Sequence, residues 1–213
     1  MKIVLFNGPP GSGKDFATRA CMLHFAKLNY SVRWERFSLP HKLAFAGTIG
    51  MSGVRGATGR DVVDDFQQFV PPPGIVSGYE NRKEEIIPWL GVSYRQWQID
   101  FSEKFMKPLY GQDIFARLFL ERNRFLERNR VSLREPGWLC FVSDCGFQME
   151  YDALRHPRDE TLLIRLKRKG KTFDGDSREW VTTSGMSEEV EIWNAGDETF
   201  PKLVIETVEE WLK

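Results

Sequence analysis

Ile3-Val4-Leu5-Phe6-Asn7-Gly8-Pro9-Pro10-Gly11-Ser12-Gly13-Lys14-Asp15 is the stretch on which the reading of the whole chain turns. The apolar run reads as a short buried strand over residues 2–7. The stretch after the glycines, 14–28, reads as a helix. Strand, glycine-rich turn and helix, with Gly8, Gly13 and Lys14 at G-x-x-x-x-G-K spacing, is the setting of a phosphate-binding loop. Glycines let the backbone curl so that several N–H groups point inward as an anion nest. The helix adds the positive end of its dipole, and Lys14 can reach the outer phosphates. Asp15 departs from the pattern, standing where Ser or Thr usually meets magnesium. An ordinary glycine-rich turn is the bland alternative, and the flanking strand and helix weigh against it.

Working outward, 213 residues suffice for one sizeable core with an inserted lid or cap. Lys plus Arg and Asp plus Glu both number 30, so no bulk electrostatic attraction draws the chain to nucleic acid. Charged residues at 28% and hydrophobic ones at 41% are ordinary for a soluble globular protein. Sixteen Phe and seven Trp point first to a well-filled core and second to base stacking. Cys21, Cys140 and Cys145 lack metal-type spacing and read as free thiols in a reducing, cytoplasmic setting. No apolar run is long enough to cross a membrane, and no leader is expected.

Further along, residues 31–37 alternate in polarity as a second strand, followed by a short helix near 43–46. Five glycines in residues 47–59 and Pro71-Pro72-Pro73-Gly74 make 47–78 an excursion around one helix at 61–69. Residues 79–89 read as a helix. Ser93 with Gln96 forms a capping box for a helix running to about Lys107. Another helix spans about 111–129; Arg122, Arg124, Arg128 and Arg130 along it read first as a solvated face and second as a nucleotide-facing one. Trp138 to Ser143 is a buried parallel strand with Asp144 at its carboxyl end, where open α/β sheets place their chemistry. Strands at 161–166 and 190–193 follow, then a helix over 201–212 with Pro201 at its first position. Alternating strands and helices predict a doubly wound parallel sheet of about five strands in a single domain. It would carry a helical substrate-side insertion over 47–110 and a basic lid over 167–188.

Five features, in order along nearly the full length, resemble the bacteriophage-type deoxynucleoside monophosphate kinases. They are Ser12-Gly13-Lys14-Asp15; Pro40-x-Lys42; Ser93-x-Arg95; Val142-Ser143-Asp144 with Glu150 and Asp152; and Arg168 with Asp176-Ser177-Arg178, closed by Trp193-Asn194-Ala195-Gly196. Three positions depart: Phe16 where some relatives have Thr, Gly146 where Arg is common, and Phe101-Ser102-Glu103 in place of a Gly-Thr pair.

The resemblance implies a P-loop NTPase fold and ATP-dependent phosphorylation of a deoxynucleoside 5′-monophosphate with magnesium. Gly8, Gly11, Ser12, Gly13, Lys14, Asp15 and Phe16 would hold ATP. Lys14, Asp15, Asp144, Arg168 and Arg178 would be catalytic, with Asp15 and Asp144 serving magnesium directly or through water. Ser38, Lys42, Arg95 and Asp144 would take the acceptor. It also implies small-molecule partners rather than membrane or nucleic acid, compatibility with a homodimer, and the host cytoplasm for a phage-encoded chain. For each site residue a plainer role stands beside this one: a helix cap for Asp15 and Asp144, a surface ion pair for Arg95, and solvated lid positions for Arg168 and Arg178. Another small acceptor, a modified base in DNA, and a non-catalytic nucleotide-binding module remain alternatives.

Overall fold

The computed structural model describes residues 1–48, 82–128, 138–154, 160–183 and 188–213. They form two compact units, residues 1–37 with 116–213, and residues 38–115. The 47–78 excursion falls almost entirely outside the described residues.

The first unit is built on five parallel strands: β1 (Lys2–Asn7), β2 (Val32–Glu35), β3 (Leu139–Cys145), β4 (Glu160–Lys167) and β5 (Glu188–Trp193). Their order across the sheet is β2-β3-β1-β4-β5. β1 lies between β3 and β4, with Val4 opposite Phe141 on one side and Leu162 on the other. Ile3, Val4, Leu5 and Phe6 are all fully buried, which is why a central parallel strand reads as one unbroken apolar run.

Alternation sorts that run into two faces. Val4 and Phe6 join Phe141, Leu162, Ile164 and Leu166 in a core covered by α1 (Lys14–Lys27) and the C-terminal helix (Thr199–Leu212). The helices contribute Ala17, Cys21 and Phe25, and Phe200, Val204 and Val208 respectively. On the other face Cys140 meets Asn123 of the helix Ile114–Arg128, Sγ to Oδ1 3.7 Å. Helices on both faces make the sheet doubly wound, as the alternation of elements predicts. All three cysteines are buried and free.

β2 inverts the expected pattern, because its charged residues are the buried ones. Arg33 Nη2 lies 2.9 Å from Glu35 Oε1, and Arg122 pairs with the other carboxylate oxygen. The Arg33 guanidinium also lies 4.3 Å from the centre of the Trp138 ring. Buried charges persist when paired in this way, and Arg122 is therefore not on a solvated face.

Other boundaries shift for local reasons. The short helix near 43–46 is longer, α2 (Leu39–Thr48), with Pro40 in its first turn, where a missing N–H costs nothing. Residues 82–89 are not helical. Pro88 biases Ile87 away from the helical region, Gly91 turns at φ +75°, and Ile86 bridges Ser93 antiparallel. Ser93 does cap α3 (Tyr94–Asp100), its Oγ accepting from Gln96 N at 3.1 Å. The Gln96 side chain binds Asp100 instead of reaching back, so only half of the capping box forms. The helix then widens into a π-helical turn, Phe101–Met106, where Lys107 N–H donates to Ser102 O, before a last α-helical turn, α4 (Lys107–Tyr110). Pro108 has no N–H to continue the ladder, and the change of winding sits beside it.

With Ile114–Arg128 as α5, the sequence reading missed α6 (Gln148–Ala153), six residues long. α7 (Thr199–Leu212) starts two residues before Pro201, which therefore stands third and not first. It is still within the turn whose N–H groups have no helical partner. Among the described residues no helix is long and apolar enough to cross a membrane.

Candidate functional site

Because all five strands run parallel, their carboxyl ends share one edge of the sheet. The chain leaves β1 toward β2 on one side and leaves β3 toward β4 on the other, although β1 and β3 are neighbours. That reversal opens a crevice at the strand ends, where open α/β sheets bind ligands. Residues 8–13, Asp144 and Gly146 lie there.

The loop is held by contacts that leave no room for larger residues. A methyl group on Gly8 would come within 2.5 Å of Leu166 O, and one on Gly13 within 2.4 Å of Asn194 Nδ2. Gly11 and Gly13 have φ of +75° and +106°, which only glycine adopts without strain. Asn194, just past β5, donates to Ser12 O at 2.8 Å, and Arg168, just past β4, donates to Gly11 O at 3.2 Å. Ser12 Oγ is buried without a hydrogen-bond partner among the described residues. Phe16, on the exposed side of α1, stacks on Phe200 with ring centres 6.4 Å apart.

Lys14 opens α1 and folds back over the loop, its Nζ donating to Gly8 O at 2.6 Å and Pro9 O at 2.8 Å. Burial first, and then the Arg178 guanidinium, pull its pKa down to about 8. Asp15, Asp144 and Asp176 act in the opposite sense. A partly desolvated ammonium at the start of a helix is a strong anion ligand, since phosphate would restore what burial removes.

Around it, Asp15 is 67% exposed and accepts from Arg36 Nη2 at 3.1 Å, while Arg36 lies over the Trp34 ring. Asp144 Oδ1 accepts from Phe37 N at 2.8 Å, tying the end of β2 to the end of β3. Arg178 is gripped by Asp176 through Nε at 2.8 Å and Nη2 at 2.6 Å. Among the described residues no three His, Cys, Asp or Glu side chains gather as a metal site. Magnesium usually takes one or two carboxylates and completes its shell with phosphate and water. Asp15 and Asp144, hard oxygen donors whose charges both reach Lys14, fit that pattern.

The structure therefore gathers Lys14, Asp15, Asp144 and Arg178 by their mutual fields and brings Arg168 onto the loop. Ser38, Lys42 and Arg95 belong to the second unit. There Lys42 is buried and its backbone N–H donates to Ser38 O at 3.4 Å. Arg95 Nε pairs with Glu84 Oε1 at 3.0 Å. Sequence reading passed over Arg36, Asn194 as a loop anchor, and Asn7. One signal was visible for Asn7: a lone carboxamide closing an apolar strand directly before Gly8.

No protein-family model matches the chain, and no curated protein matches it. Among solved structures it is similar to an unliganded sugar kinase from Janibacter sp. HTCC2649, at 12% identity over 99% of this chain and 93% of that one, TM-score 0.43. It is also similar to the RNA-dependent RNA polymerase of BmCPV in its quiescent state, at 14% identity over 99% of this chain and 42% of that one, TM-score 0.40. Likenesses this distant carry no argument about the chain's activity.

Proposed function

We propose that the chain is a phosphotransferase that moves the γ-phosphoryl of ATP, with magnesium, to a deoxynucleoside 5′-monophosphate. One observation carries the reading: Lys14, buried to 9% exposure, is folded over a glycine loop at the reversal point of a parallel sheet, with a second cation, Arg178, in its field. Phosphoryl transfer asks for little covalent chemistry. It asks for two phosphates held in line and for the developing charge to be neutralised. The loop residues Gly8, Gly11, Ser12 and Gly13, with Lys14, Asp15 and Phe16, would hold ATP. Arg168 and Arg178 would steady the transferring group, and Asp15 and Asp144 would hold magnesium, which supplies charge neutralisation. Ser38, Lys42 and Arg95 are assigned to the acceptor on sequence grounds.

The test is a panel in which the protein, ATP and magnesium are incubated with each common or modified deoxynucleoside monophosphate and the products are separated. Acceptor-dependent diphosphate is the expected result. ATP binding without diphosphate from any acceptor would leave a nucleotide-binding module in its place.

A further inference from the structure

Asn7 is fully buried at the last position of β1, and both ends of its carboxamide are used. Nδ2 donates to Cys145 O and to Glu179 O, each at 3.0 Å, and Oδ1 accepts from Val181 N at 3.1 Å. One side chain thus joins the end of β1, the end of β3 and a segment some 170 residues away in the chain. That segment carries Arg178. It is held from other sides too: Glu179 N donates to Gly146 O at 3.0 Å, Arg165 Nε donates to Val181 O at 2.8 Å, and Gln148 binds Thr182 through N and O. The Arg178 guanidinium is then aimed by Asp176. A carboxamide is the one side chain here that offers two donors and an acceptor at once. Hydrophobic residues of similar size would remove all three of these hydrogen bonds.

We propose that Asn7 is a positioning residue for phosphoryl transfer: it fixes the backbone at 179–181 so that Arg178 is held over Gly146, at the carboxyl end of β3, before nucleotide arrives, as a built-in cation and not one delivered by lid closure. The inference rests on the phosphotransferase reading and assigns Asn7 no contact with substrate. Preorganised charge costs no reorganisation at the moment of reaction, so loosening the 179–181 segment should be felt at the site through Arg178. Asn7 also holds Cys145 O, beside Asp144, whereas Gln148 holds the segment at Thr182 alone.

The test is a double-mutant cycle on kcat and on the affinity for inorganic tripolyphosphate, using Asn7→Ala, Arg178→Gln and the pair, with folded fraction checked by circular dichroism. Arg178→Gln should lower kcat on the order of 10²-fold. Asn7→Ala should lower it about tenfold or more, and the double variant should be no worse than Arg178→Gln alone, because both act through one guanidinium. Gln148→Ala releases the same segment from the surface. It serves as the second arm if Asn7→Ala does not fold, with a smaller loss that also vanishes in the Arg178→Gln background. Losses that multiply, or a kcat within twofold of the parent for both releasing variants, would overturn the inference. A parent that binds tripolyphosphate but transfers nothing sinks the phosphotransferase reading, and the cycle on affinity then decides the inference by itself. A parent that does neither overturns both.

Discussion

Arg178 lies across the α-carbon of Gly146: a methyl group there would stand 2.6 Å from its Cγ and Cδ and 2.7 Å from its Cβ. Gly146 is the position where the resembled kinases commonly carry an arginine. In this chain the space over its α-carbon is filled by the side chain of Arg178. Gly146 has no left-handed φ, so Gly146→Ala is compatible with its backbone. The added methyl meets the near end of a side chain whose far end Asp176 grips, so the Arg178 segment must shift. Overpacking of this kind costs about 1–3 kcal/mol. Gly146→Ala is expected to lose activity well beyond what that loss of stability explains. Unchanged turnover with an unchanged melting temperature would show that Arg178 gives way freely.

Lys14 has a measurable effect on folding. Its folded pKa, about 8, lies below the 10.5 of a freely solvated lysine. Between those values the unfolded chain holds more protons, so stability rises with pH across that window. Below about pH 8 both states hold the proton, and the full cost of burying the charge, on the order of 3 kcal/mol, is present. Lys14→Met should therefore be more stable than the parent at pH 7, and its advantage should shrink as pH rises from 8 to 10. It should also lose turnover by about 10²-fold or more. Denaturant midpoints at several pH values check the sign. A parent that loses ground to Lys14→Met as pH rises would mean the folded amine is held charged.

How much of this was legible in the sequence depended on the range of the interactions. The strands Lys2–Asn7, Leu139–Cys145 and Glu160–Lys167 could be read directly, because burial on both faces writes a continuous apolar run. The glycine turn between β1 and α1 could be read because its glycines and Lys14 act within eight residues. Contacts that span the chain left no local trace: Asn194 on Ser12 O, Asn7 on Glu179 O, and Arg122 on Glu35 are separated by 182, 172 and 87 residues. The helix expected over 79–89 failed within residues 82–89 for a local reason that was overlooked, Pro88 followed by Gly91. Gly146 was visible as a departure, but nothing local could show that Arg178 occupies its place.

Asp15 and Arg36 give a test with two opposite signs. Their ion pair is largely exposed on the carboxylate side, and exposed pairs contribute about 0–1 kcal/mol. Asp15→Asn should therefore leave the melting temperature nearly unchanged. If the carboxylate serves magnesium, Asp15→Asn raises the magnesium concentration needed for half-maximal turnover. Arg36→Ala frees the carboxylate from its competitor and lowers it. Superimposable magnesium titrations for the parent and both variants would restrict Asp15 to pairing with Arg36.

Arg95 stands two residues past the Ser93 cap, in the first turn of α3, where the helix dipole favours an anion. Its partner, Glu84, is 67% exposed, and Arg95 itself is 36% exposed. A monophosphate carries about two negative charges near neutral pH, by analogy with phosphorylated side chains. It can outcompete one solvated carboxylate for a planar guanidinium. Arg95→Ala should then lower kcat/KM for the acceptor by about tenfold or more and leave the ATP dissociation constant within about twofold. Arg95→Lys should recover only part of the loss, since lysine keeps the charge and loses the fork. Glu84→Gln separates the roles. For an acceptor ligand, removing the competing carboxylate keeps or raises kcat/KM. If Arg95 acts only as the partner of Glu84, Arg95→Ala and Glu84→Gln should lower stability by the same few tenths of a kcal/mol. Neither would then change acceptor kinetics, and the monophosphate site would have to be sought at Lys42.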